Sequence, residues 1–152
     1  MLGGSYVALC LDARRSTEDI DLIPVGGGAE RRHLLYLSDD LGLPIEAVNS
    51  AADFFVERIK GWRDEIELLL TGAKGRIFRP TATLFLLLKA RRLSPIDLTD
   101  CLTQIRSSRE AGRALDAARV LRLLDELAPG EAELEKRRAI LRDALGADIS
   151  AS

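Results

Sequence analysis

The feature that most constrains the fold is a short segment in which polar and apolar residues alternate. Positions 19–23 are Asp-Ile-Asp-Leu-Ile, and Pro24 follows directly. Side chains along a strand point alternately to opposite faces, so this pattern predicts a half-buried strand that the proline ends. A strand needs hydrogen-bonding neighbours, and the chain therefore cannot be purely helical.

Most of the remaining sequence has the spacing of helices. Two further strand candidates, 66–70 and 76–78, flank the turn residues Gly72 and Gly75 and predict a hairpin. Ser94, Pro95 and Asp97 form the start signal of a helix, with Asp97 at the capping-box position. The predicted helices are 6–13, 30–42, 51–59, 81–92, 94–106, 109–127 and 131–145. These patterns predict an α+β protein with a core at 1–92 and a C-terminal helical segment at 93–152.

Composition excludes several classes of protein. The 152 residues are 47% hydrophobic and 30% charged with a net charge of −2, which is typical of a globular domain. The whole chain lacks the basic excess of a nucleic-acid binder, although this does not exclude a local basic groove. Cys10 and Cys101 have no neighbouring ligands for a zinc site and are expected to be reduced thiols. No apolar run approaches the roughly 20 residues of a membrane span, and no signal peptide is recognisable. We expect a cytoplasmic protein.

The predicted strand carries residue types that suit a metal and a phosphate. Asp19 and Asp21 are two positions apart and should project from the same face. Paired carboxylates are hard oxygen ligands for Mg²⁺. Gly3, Gly4 and Ser5 form a turn that opens a helix, whose first N–H groups and positive dipole end suit a triphosphate. A bound metal ion and a turn that holds the phosphates supply most of what phosphoryl transfer requires, namely positioning and charge neutralisation.

This layout resembles the polymerase-β-like nucleotidyltransferase superfamily, whose signature is a Gly-Gly or Gly-Ser turn followed by Asp-x-Asp. It is most similar to the small bacterial AbiEii-like toxins and related proteins. The similarity spans residues 3–106. The segments that carry it are Arg14-Arg15-Ser16-Thr17-Glu18-Asp19-Ile20-Asp21-Leu22, then Leu41-Gly42-Leu43-Pro44, then Asn49-Ser50-Ala51-Ala52, and finally Lys89 with Asp97 and Asp100.

The resemblance implies Mg²⁺-dependent transfer of a nucleoside monophosphate from NTP to an acceptor. It makes Asp19 and Asp21 the catalytic metal ligands. It also implies a toxin of a toxin–antitoxin system, which would modify RNA or protein and bind an antitoxin. The residues expected to hold or surround the NTP are Gly4, Ser5, Arg15, Lys89, Asp97 and Asp100.

Four of these expected NTP contacts have structural alternatives. Arg15 either contacts phosphate or is solvated, and Lys89 either contacts phosphate or caps an apolar helix with its stem buried. Asp97 stands where a capping-box acid is expected, and this interpretation is favoured over a role at the nucleotide. Asp100 could be a structural partner of Asp97, or could order Lys89 or an arginine.

The chain departs from the family pattern in two places. Only Met1 and Leu2 precede the glycines, where the family has a helix and a central strand. A missing strand would leave unpaired backbone groups, so we expect a homo-oligomer, most simply a two-fold dimer, with weak or absent transferase activity. The third carboxylate of active members has only a weak candidate here, Glu67.

Three functions therefore compete. The first is the nucleotidyltransferase enzyme, and the second is a catalytically degenerate module that keeps the fold for binding or oligomerisation. The third is a helical interaction domain without a nucleotide site. Nucleotide transfer separates the first from the others, and binding without transfer marks the second.

Overall fold

The structure, a computed structural model, describes residues 1–12, 14, 17, 20–24, 33, 36–37, 39–44, 47–50, 52–73 and 75–149. The chain is α+β, as predicted, and divides into two compact units, Met1–Pro80 and Thr81–Ser152. The helices are α1 (Gly3–Cys10), α2 (Asp53–Val56), α3 (Ala82–Ala90), α4 (Pro95–Glu110), α5 (Ala117–Glu126) and α6 (Ala132–Ile149). The strands are β1 (Ile20–Asp21), β2 (Val48–Asn49), β3 (Ile66–Gly72) and β4 (Gly75–Pro80).

The first unit contains a small parallel sheet. Strand β1 pairs in parallel with β2, with Ile20 opposite Val48 and Asp21 opposite Asn49. Leu2 adds an isolated antiparallel bridge to Asp21 on the other side of β1. The predicted strand at 19–23 is therefore confirmed, although it is shorter than expected and Asp19 lies outside the described residues. Of the predicted helix at 30–42, the described residues 33, 36–37 and 39–40 are helical.

The hairpin prediction is also confirmed. Strands β3 and β4 pair antiparallel from Ile66 opposite Pro80 to Gly72 opposite Gly75, with a register irregularity between Leu68 and Leu70. A short 3₁₀ helix, Trp62–Glu65, leads into β3 and buries the Trp62 indole. Several aliphatic side chains of the hairpin remain exposed, among them Leu68, Leu69, Leu70 and Ile77.

The second unit is helical and has a dense apolar core. The largely apolar helix α3 places Leu84, Phe85 and Leu86 at 0–1% exposure. Helix α4 begins as predicted: Ser94 accepts from the Asp97 N–H, and Asp97 completes the capping box. From α6, Leu141 and Leu145 are fully buried, as their spacing predicted.

The predicted helix at 109–127 was wrong at its start. Helix α4 continues to Glu110, Gly112 then adopts a left-handed φ of 60°, and α5 begins only at Ala117. The Asp116 side chain accepts from the Arg119 N–H, so a local N-cap fixes the new start. The predicted domain boundary between residues 92 and 93 stays a prediction. Within the described ranges, no helix is long and apolar enough to cross a membrane.

Candidate active site around strand β1

Strand β1 lies between two other segments, the N-terminal residue Leu2 on one side and strand β2 on the other. The Leu2 N–H donates to the Asp21 carbonyl at 2.9 Å, and the Ile20 N–H donates to the Ala47 carbonyl at 2.6 Å. Successive residues of a strand direct their hydrogen-bonding groups to opposite sides, so Ile20 faces β2 while Asp21 faces Leu2. Strand β1 is therefore central, and the residue directly before α1 is fixed against Asp21.

Helix α1 starts immediately after that bridge. Leu2 is its N-cap, and no side chain caps the helix. The first N–H groups of an α-helix have no acceptor within the helix and form a ready site for anions. Gly4 allows a close approach here, because a Cβ atom at this position would lie 2.8 Å from Thr17 Oγ1. Gly3, Gly4 and Ser5, predicted as a turn before a helix at 6–13, are therefore the first residues of α1 itself, and Gly4 lies against Thr17.

Ser5 has a structural role in this turn. Its side chain is buried, and its hydroxyl donates to the Leu2 carbonyl at 2.7 Å. This bond holds the chain between the β-bridge and the first turn of α1. The hydroxyl proton is engaged within the protein, and a contact between Ser5 and a triphosphate stays a prediction.

The residues present fit a hard divalent cation in part. Asp21 is half-buried in β1, next to the start of α1, and supplies carboxylate oxygens of the kind Mg²⁺ prefers. Asp19 and Arg15 lie outside the described residues, so the predicted carboxylate pair and arginine contact stay predictions. Among the described residues, which do not include Asp19, His, Cys, Asp and Glu form no cluster of three that could hold a metal.

Lys89, Asp97 and Asp100 come together in the second unit. The Lys89 ammonium donates to Asp97 at 2.7 Å and to Asp100 at 3.0 Å, and both carboxylates are at most 3% exposed. The Arg92 guanidinium donates to both oxygens of Asp97, at 2.8 and 2.9 Å. These bonds tie the C-terminal end of α3 to the first turn of α4.

The charge state of Asp97 follows from its partners. Burial alone would raise the pKa of this carboxyl, but hydrogen bonds from Arg92, Lys89 and Ser94 outweigh it and hold the pKa well below its ordinary value. The pKa of the Cys101 thiol, next in the chain after Asp100, shifts in the opposite direction. This thiol is fully buried, and burial raises its pKa strongly, so it is held in the neutral form.

These contacts bear on the alternatives left open by the sequence. Asp97 does form a capping box, and Asp100 does hold the Lys89 ammonium. Arg92 was missed, although its position five residues before Asp97 on the turn between two helices was a usable signal. Whether Lys89, Asp97 and Asp100 also act on a nucleotide stays a prediction.

Glu67, the weak candidate for a third carboxylate, lies on the hairpin. Its carboxylate is paired with the Arg79 guanidinium at 3.0 Å across the two strands, and its side chain is 45% exposed. The cross-strand register, which places Glu67 opposite Arg79, accounts for this pair. A structural partner therefore explains Glu67 without a metal.

Comparison with known proteins adds no family to these observations. No family model, curated protein or solved structure matches the chain. The similarity to polymerase-β-like nucleotidyltransferases therefore rests on the sequence motifs of residues 3–106.

Proposed function

We propose that this chain is a nucleotidyltransferase-like protein that transfers a nucleoside monophosphate from NTP to an acceptor with the help of Mg²⁺. The supporting observation is the bridge between Leu2 and Asp21. It sets the first turn of α1, with its Gly-Gly-Ser sequence, directly beside Asp21 in strand β1, the second aspartate of the Asp-x-Asp motif. Two motifs that are separate in the sequence are thus adjacent in space.

The chemistry expected at this site is charge positioning. Asp19 and Asp21 would hold Mg²⁺, which when bound neutralises phosphate charge and orients the triphosphate. The N–H groups of Gly3 and Gly4, in the first turn of α1, would donate to phosphate oxygens. Ser5 contributes by fixing the Leu2 carbonyl, and thereby the direction of those donors. The acceptor is RNA or protein if the chain acts as a toxin with a cognate antitoxin.

A second function is supported by a different observation. Several predicted ligands are engaged within the protein: Ser5 with Leu2, Lys89 with Asp97 and Asp100. Such internal contacts of the former ligands are expected in a protein that has lost catalysis and keeps the fold for binding or homo-oligomerisation. The exposed aliphatic side chains of the β3–β4 hairpin would suit a contact with a second copy.

Labelled NTPs distinguish the two functions. The chain is incubated with each NTP and Mg²⁺ in the presence of total RNA and protein, and label transfer is measured with EDTA and Asp21→Asn as controls. Transfer that requires both Mg²⁺ and Asp21 supports the enzyme. NTP binding without transfer supports the binding module, and the absence of both binding and transfer contradicts the nucleotide site.

A further inference from the structure

Helix α2 exposes two neighbouring aromatic side chains. Phe54 is 59% exposed and Phe55 is 55% exposed, whereas Phe85 of the second unit is 1% exposed. Fully burying a phenylalanine ring is worth about 1.5–3 kcal/mol, so rings of this size are usually covered. Two adjacent exposed rings therefore need an explanation other than folding stability.

The spacing of residues explains the outward direction of one ring. Val56 and Ile59 are buried, and Ala52 is half-buried at the helical spacing that places it on the same face. Phe54 points away from that face, whereas Phe55 lies at its edge and is still 55% exposed. Small and aliphatic residues therefore supply most of the burial that anchors this segment.

A cation is already stacked on this aromatic pair. The Arg58 guanidinium lies 3.8 Å from the centroid of the Phe54 ring. The Phe54 and Phe55 rings meet edge to face, with centroids 5.5 Å apart and planes at 83°. Exposed rings combined with an arginine plane form the kind of surface on which proteins stack nucleobases.

The chain links this surface closely to the candidate active site. Asn49 pairs with Asp21, and α2 begins four residues later at Asp53. The Asp53 N–H donates to the Ser50 carbonyl at 3.0 Å, so the connection turns tightly. Five residues span at most about 18 Å, which bounds the distance from Asn49 to the Phe54 backbone. The start of α1 lies on one side of β1, and the segment leading to α2 on the other.

We propose that Phe54, Phe55 and Arg58 form a stacking site for a nucleobase, either that of the NTP or that of a single-stranded RNA acceptor. This inference rests on the proposed nucleotidyltransferase function. The phosphates would lie at the first turn of α1 and the base at α2, with β1 between them. Stacking on a phenylalanine face is tolerant of base identity, so little preference among the four NTPs is expected.

The experiment separates base binding from phosphate binding. Affinities for an NTP, for inorganic tripolyphosphate and for an oligoribonucleotide without a triphosphate are measured with Mg²⁺ present. The test variant is Phe54→Leu with Phe55→Leu, which keeps apolar volume and removes the rings. The matched control is Phe78→Leu. The Phe78 ring also has an arginine over it, with the Arg76 guanidinium 5.6 Å from the ring centroid, but it lies on the hairpin and outside the proposed stacking site.

The double variant is expected to lose about tenfold in affinity for the NTP or the oligoribonucleotide, while tripolyphosphate affinity and the control variant are unchanged. Loss for the NTP alone identifies the substrate base, and loss for the oligoribonucleotide alone identifies the acceptor. Unchanged affinity for both, or an equal loss for tripolyphosphate, overturns the stacking site. If wild type binds neither NTP nor tripolyphosphate, the proposed function fails. An oligoribonucleotide affinity that depends on the rings would then still support the stacking site, and its absence would overturn that site too.

Discussion

Two regions of the molecule use their charged and aromatic side chains in different ways. At the joint between α3 and α4, Asp97 is buried against two cations, and Phe85 lies in the core. On helix α2 and the β3–β4 hairpin, the ion pair between Glu67 and Arg79 lies at the surface, and Phe54 is largely exposed. The residues of the joint are explained by the stability of the fold, whereas the exposed rings of α2 are not.

This contrast separates two parts of the same sequence motif. Lys89, Asp97 and Asp100 matched the nucleotidyltransferase pattern, yet the joint between α3 and α4 gives each of them a structural partner. The Gly-Gly-Ser segment and Asp21 matched the same pattern, and the Leu2 bridge places them side by side. Ser5 also has a structural role there, because its hydroxyl is held by the Leu2 carbonyl. A motif match is therefore more informative where the fold does not already account for the residue.

The largest stability effect is expected at Asp97. Asp97→Ala removes the capping box and leaves Lys89 short of one partner in a buried setting, so it should cost about 3–5 kcal/mol in the free energy of unfolding. Urea denaturation measures the loss. The matched control is Asp125→Ala, because that carboxylate pairs with Arg142 but is 71% exposed, and less than about 1 kcal/mol is expected there. Similar small losses in both variants would contradict a structural joint.

The lowered pKa of the Asp97 carboxyl predicts that the free energy of unfolding depends on pH. The pKa of Asp97 is lower in the folded protein than its ordinary value of 3.8, so its contribution is complete above that value and is lost as pH falls towards the folded pKa. Each pH unit in that window removes up to about 1.4 kcal/mol. The stability difference between wild type and Asp97→Asn should therefore shrink below about pH 4. A difference that stays constant from pH 6 to pH 3 would show that Asp97 is not held ionised.

Gly4 and Gly146 should respond in opposite directions to alanine. At Gly4 the new Cβ meets Thr17, an overpacking that costs at least about 1 kcal/mol and outweighs the gain in helix propensity. Gly146 in α6 has open space around it, so Gly146→Ala should raise stability by about 0.5–1 kcal/mol. Thermal unfolding of the two variants tests the pair. Stabilisation at Gly4 would mean that the close approach to Thr17 does not constrain the turn.

The smallest effect on stability is expected at the exposed rings. Phe54→Leu or Phe55→Leu should change the free energy of unfolding by less than about 0.5 kcal/mol, because neither ring is buried. Phe85→Leu, the same substitution in the core of the second unit, should cost about 1 kcal/mol or more. Equal losses at Phe54 and Phe85 would mean that the α2 rings are covered in solution and would remove the contrast between the two regions.

Local chemistry decided which elements the sequence could predict. The capping box at Ser94, the hairpin around Gly72 and Gly75, and the strand at Asp21 each depend on a few neighbouring residues, and all three are present. The break between α4 and α5 was predicted too early, at 107–108, because α4 continues to Glu110 and the Asp116 cap sets the start of α5.

The site was less predictable than the fold. Pairing of Leu2 with Asp21 depends on a return of the chain that no local pattern encodes, and the Arg92–Asp97 contact depends on the turn between two helices. The outward direction of Phe54 follows from its position opposite Ala52, Val56 and Ile59 on the helix. Phe55 lies beside that face, so its exposure depends on tertiary packing that the spacing does not encode.

The most direct test is calorimetric titration of NTP into wild type and Asp21→Asn, with and without Mg²⁺. Asp21 holds Leu2 through its backbone carbonyl, so the substitution should leave that bridge in place, and the melting temperature of the variant is measured as a control. If the first turn of α1 and β1 form a nucleotide site, wild type binds NTP only with Mg²⁺, and Asp21→Asn loses that binding. NTP affinity that is the same in the variant as in wild type would contradict the site.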